Sequence, residues 1–372
     1  MGGSVERHNN FDALRLIAAV SVIFSHAFLI GEGTQDPEPL YWATGGQTVL
    51  GVVGVFVFFT ISGYLVSQSF EATGAPLRFL AKRGLRIYPG LLACLLLSAF
   101  IMGPLLTDLP LGAYFRSSAV YSYVASNFAM ILPTNTLPGV AFTGYGAGSV
   151  VDGPLWTLPS EVAMYLMVCV LGTLGALRLR VILPLLLVGL CGLWFDTASS
   201  EYFIGSALWL LPFFAAGMAL YRLRDRPILH GAAALAALAA LAVSAWLHAF
   251  ILLFPIFGSY LVIYLAFARW LPVLRAARFG DLSYGLYIYG WPIEQWLTRL
   301  QGGTLAWSTL FALALPLSAL AALLSWHMVE SRALRLKPAN LRRGGETRAP
   351  LRPAPLAQNL MSSPSAGPPS AD

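Results

Sequence analysis

Apolar stretches of about twenty residues recur along the chain, at 11–31, 48–70, 86–107, 155–177, 181–196, 203–221, 228–247, 250–268, 281–299 and 304–327. Each comes close to the length a helix needs to cross a hydrocarbon core of about 30 Å. Glycine, proline and charged residues separate them and would end helices there. The pattern predicts an all-α, polytopic membrane bundle of about ten transmembrane helices. The stretch 108–153 fits less simply: its apolar patch, 119–132, is followed by Pro133, Pro138 and several glycines, so it either dips into the bilayer or lies on it.

Composition agrees. Of 372 residues, 57% are hydrophobic and 11% charged, with a mean hydropathy of +0.70. A soluble domain carries roughly 25% charge, so a soluble globular fold is excluded. The net charge of +6 reflects topology and not a nucleic-acid partner. With the N-terminus inside, every Lys and Arg except Arg116 and Arg299 falls on the inner side, 21 of 23. The positive-inside rule then puts both termini in the cytoplasm. The organisation expected is a cytoplasmic segment over 1–10, a membrane domain over 11–337, and a disordered Pro/Ser-rich cytoplasmic tail over 338–372. Cys94, Cys169 and Cys191 lie inside apolar runs and read as small buried hydrophobes.

Ionisable residues inside spans are costly and by default suggest function. The first span, FDALRLIAAVSVIFSH, carries Arg15 and His26 eleven residues apart. At about 100° per residue they return to within roughly 20° on one stripe, separated by about 16 Å along the axis. Asp12 lies one turn from Arg15 and could pair with it. Counting along the fourth span, DGPLWTLPSEVAMYL, puts Glu161 at a depth similar to His26. A histidine beside a carboxylate is what general-base activation of a hydroxyl requires. Arg83 and Arg86 in RFLAKRGLRIYPGLL are helix neighbours at the inner mouth of the third span, with Arg78 and Lys82 close by. Paired guanidiniums suit phosphate. In the second span Gly51, Gly54, Ser62 and Gly63 allow close helix packing or room for a thin ligand. No P-loop, dinucleotide fingerprint or metal-spaced His/Cys cluster is present.

These stretches, taken with FFTISGYLVSQSF, GDLSYGLYIYGWPIEQ and WHMVESR and in this order, resemble the membrane acyltransferase-3 family of bacterial O-acyltransferases, over about residues 9–337. The resemblance implies transfer of an acyl group, usually acetyl, from cytoplasmic acyl-CoA to a hydroxyl of a surface or exported glycan such as exopolysaccharide or O-antigen. The enzyme would sit in the bacterial inner membrane, in the stand-alone form of the family, with acetyl-CoA as co-substrate and no bound cofactor. It assigns catalysis to His26, Glu161 and Arg15, and donor binding to Arg83, Arg86, Lys82, Ser62 and Tyr64. Asp12, Trp156, Ser160 and Tyr287 would support them. One position departs from the pattern: Gly290 stands where many members carry histidine. A transporter or flippase for a glycan or lipid intermediate would also need buried His, Glu and Arg, and a scaffold subunit of an export machine is a third reading.

Overall fold

The computed structural model describes residues 9–130, 133–142, 148–195, 203–268 and 280–336. Most of the expected N-terminal segment and all of the expected tail lie outside these residues. Ten helices of sixteen residues or more occur among them, one on each of the ten apolar stretches. They are α1 (Phe11–Glu32), α2 (Leu50–Thr73), α3 (Pro76–Leu97), α4 (Thr157–Thr173), α5 (Leu179–Trp194), α6 (Phe203–Arg222), α7 (Gly231–Trp246), α8 (Phe250–Phe267), α9 (Leu282–Leu300) and α10 (Trp307–Ser325). No strand occurs among the described residues. Six of the helical segments are long and apolar enough to cross a membrane.

α3 starts ten residues before the apolar run predicts. Pro76 suits a first helical position, where its missing N–H would be unpaired in any case. Its first turns carry Arg78, Lys82, Arg83 and Arg86, which the apolar pattern cannot see. Arg83 and Arg86 therefore sit about 10 and 15 Å along the helix, well inside its mouth. α3 continues through a wider π-type turn, Ser98–Met102, to Leu106. The Ala99 carbonyl in that turn accepts a hydrogen bond from the buried Tyr114 hydroxyl at 2.7 Å. Part of 108–153 forms two short helices, Leu111–Arg116 and Ser118–Ala129.

α2 is the hub, packed on α1 and α6. Without hydrophobic drive between helices in lipid, close van der Waals fit does the work, and glycine permits it. A Cβ on Gly54 would come 2.7 Å from the Ala18 carbonyl of α1. Gly63 lies against the Phe214 carbonyl and Gly217 against the Thr60 carbonyl, a reciprocal contact that locks α2 to α6. Cys94 and Cys169 are buried as expected, whereas Cys191 is exposed on the outer face of α5.

The entry to α4 decides where its side chains lie. Asp152 and the turn Gly153–Trp156 are not at an outer surface: Asp152 is buried, with Cys94 Sγ 3.5 Å from its Oδ2. The Thr157 hydroxyl lies 2.8 Å from that of Tyr287 on α9. α4 thus begins level with Tyr287, which is seven residues, about 10 Å, along α9 from Glu294.

Candidate active site

α1 and α9 lie side by side and run in the same direction, joined by two rungs. At one end Arg15 Nη1 donates to Asp281 Oδ2 at 3.1 Å, just before α9 begins. At the other, His26 Nδ1 lies 3.6 Å from Glu294 Oε2. The axial steps match: eleven residues on α1, thirteen on α9. Gly290 lets the helices approach between the rungs, where an added Cβ would meet Ile23 Cγ1 at 2.8 Å. A side chain as large as histidine at this position would have to displace Ile23.

The lower rung is a knot of four groups. Asp281 also accepts from Arg86, and Arg86 reaches Glu330 at 3.4 Å from the π-type turn Trp326–Glu330 after α10. The Ser283 hydroxyl also donates to Asp281, at 2.7 Å. The pairing corrects two expectations. Arg15 pairs with Asp281, while Asp12 is exposed. Arg86 lines the inner cavity but is already engaged by two carboxylates. Arg83 differs: it has no carboxylate partner among the described residues, its guanidinium lies over the Phe79 and Tyr165 rings, and its Nε is buried without an acceptor.

The upper rung is enclosed. Glu294 is 0% exposed, and neither of its oxygens nor His26 Nδ1 has a hydrogen-bond partner. The Trp291 ring meets His26 edge-on at 4.7 Å and is itself fixed by donating to the Val150 carbonyl at 3.0 Å. Glu161, expected beside His26, lies elsewhere. It accepts from Ser62 at 3.3 Å and from Tyr165. Because α4 begins deep, four residues along it places Glu161 in the cavities that Arg15 lines, and not at the level of His26.

Two cavities, of about 40 and 50 Å³, share Arg15, Ser62, Glu161 and Tyr284. One extends to Arg83 and Arg86, the other to Thr157 and Tyr287. Tyr287 is one helical turn from Trp291, which touches His26. The site therefore runs in line from Arg83 past Arg15 toward His26. Each cavity has room for a few waters.

Other expected residues fall outside this line. Tyr64, two residues from Ser62, points the opposite way into a cluster with Phe11, Tyr221 and Phe267, as helical geometry requires. Lys82 donates to the Thr73 hydroxyl at the end of α2. Trp156 is half-exposed against Trp209, and Ser160 is buried with no partner for its hydroxyl. Sequence reasoning missed Asp281 and Glu294, although both lie in the quoted stretch GDLSYGLYIYGWPIEQ.

The chain is 29% identical to an O-acetyl transferase of Shigella phage Sf6, over 89% of this chain and 97% of that one. It is 28% identical to Nodulation protein 10 of Rhizobium leguminosarum bv. viciae, over 88% and 94% respectively. No solved structure matches it. The acyltransferase-3 model, described as an acyltransferase domain, matches residues 8–327, which takes in both rungs and the line of cavities. The chain belongs to the acyltransferase-3 family and is a membrane acyltransferase.

Proposed function

We propose that this protein is an O-acetyltransferase of the bacterial inner membrane, moving an acetyl group from cytoplasmic acetyl-CoA to a hydroxyl of a surface or exported glycan. The observation that carries this reading is the line of cavities from Arg83 past Arg15 to Tyr287, which ends one helical turn short of the Trp291 ring that meets His26. Arg83, the guanidinium without a carboxylate, meets the donor's phosphates. The acyl arm extends past Arg15 and Glu161 toward His26, and those side chains move aside to admit it.

At the far end His26 Nε2 takes the proton of the acceptor hydroxyl. The hydroxyl oxygen attacks the thioester carbonyl carbon, the C–S bond breaks, and the departing thiolate receives the proton from the imidazolium. The products are an O-acetyl ester and free CoA. Glu294, facing Nδ1, fixes the imidazole tautomer and stabilises its charged form, the part that the sequence assigned to Glu161. The likeness to the phage O-acetyl transferase supports an acetyl donor.

The test is release of free thiol from acetyl-CoA by purified protein in nanodiscs, together with binding of the donor. Wild type releases CoA, His26→Ala abolishes release, and Arg83→Ala raises KM. No release and no acetyl-CoA binding would sink the proposal and favour a transporter.

A further inference from the structure

A third cavity, about 440 Å³ and far larger than the other two, opens where α2 and α4 end and α3 and α5 begin. Its walls include Gly74, Pro76, Gly172, Arg178 and Arg222. Arg178 is exposed and has no carboxylate partner among the described residues. Arg222 pairs with Glu71, the cavity's carboxylate, whose oxygens are also taken by Tyr221 and Arg224. Glu71 is thus neutralised twice over, and the cleft stays cationic. Lys82 adds a charge at the rim through its bond to Thr73, the neighbour of Gly74.

This cleft lies on the same line as the other cavities. Pro76, Phe79, Arg83 and Arg86 are spaced by three, four and three residues, one stripe of α3. Pro76 lines the cleft, while Arg83 and Arg86 line the inner cavity. On α4, Glu161 and Tyr165 line the inner cavity and Gly172 and Thr173 the cleft. Between them stands a pair of rings, Phe70 and Phe79, at 5.3 Å. The Phe70 ring presses against Gly172, where an added Cβ would collide with it, and Arg83 lies over Phe79. The cleft is about 10 Å from Arg83 along α3, the scale of one nucleotide.

We infer that the cleft takes the phosphorylated adenosine end of a coenzyme A thioester, with Arg178 reading the ribose 3′-phosphate while Arg83 holds the pyrophosphate. The inference rests on the proposed function and goes further, naming a subsite and the group it recognises. A phosphate monoester dianion matches a free guanidinium in geometry and charge.

The experiment compares acetyl-CoA with acetyl-3′-dephospho-CoA as donors for wild type, Arg178→Ala, Arg178→Glu and the exposed control Arg332→Ala, following thiol release. In wild type the dephospho donor has a KM about tenfold higher. Arg178→Ala raises KM for acetyl-CoA about tenfold, leaves kcat unchanged and erases the difference between donors. Arg178→Glu raises KM further, and Arg332→Ala behaves as wild type. Adenosine 3′,5′-bisphosphate competes with acetyl-CoA in wild type and not in Arg178→Ala. A wild type that fails to distinguish the donors, or an Arg178→Ala variant that still does, overturns the subsite while leaving the acyltransferase reading standing. Absence of acetyl-CoA binding by wild type overturns both.

Discussion

His26 and Glu294 face each other across α1 and α9, with Nδ1 3.6 Å from Oε2 and the carboxylate sealed from solvent. The distance is just beyond hydrogen-bonding range, and a small tilt of either side chain closes it. A sealed carboxyl group facing an imidazole has its energy tied to any charge that ring gains during reaction. Glu294→Gln keeps the shape and removes the ionisable group. It lowers kcat of thiol release by about 10²-fold with KM within about twofold. Glu161→Gln acts the other way, chiefly on KM. Steady-state kinetics on both variants decide, and a reversed pattern restores Glu161 as the partner of His26.

The knot around Asp281 makes a separate prediction. Asp281→Asn leaves Arg15 and Arg86 without their shared carboxylate, and the loss from a partly exposed pair of this kind is about 1–2 kcal/mol. The apparent Tm in detergent falls accordingly. A double-mutant cycle with Arg15→Gln should show coupling of about 1 kcal/mol or more. Additive single effects would mean that the contact contributes nothing.

Gly290 tests the packing between the rungs. Gly290→Ala presses a methyl onto Ile23, and overpacking of this kind costs about 1–3 kcal/mol. Since Ile23 is one turn from His26, the displacement also opens the His26–Glu294 contact and cuts kcat by about tenfold. Ile23→Ala in the same chain makes room and restores much of the rate. Failure of that rescue would show that the effect has another origin.

The helix positions, the inward stripe of α1 and the packing glycines of α2 were legible because they follow local periods of the sequence. Arg15 and His26 could be matched to each other by spacing alone. Their partners could not. Axial rise gives the depth of a residue only if the helix starts at a surface, and α4 starts inside the protein, at the level of Tyr287. That misplaced Glu161 by more than a helical turn. Asp281 and Glu294 meet α1 across more than 260 residues of chain, a pairing no local pattern contains. Arg83 and Arg86 look equivalent in a sequence, and only the carboxylates from α9 and the turn after α10 separate them.

The two rungs also order events during synthesis. α1 leaves the ribosome first, bearing an arginine and a histidine whose carboxylates have yet to be made. Asn10, at its start, likewise waits for the carbonyls of Leu265, Ala266 and Ala268. A chain interrupted before α9 has neither Asp281 nor Glu294. Translation itself thus acts as a safety catch: a nascent or truncated chain has no complete site, and competence arrives only when the ninth long helix docks beside the first.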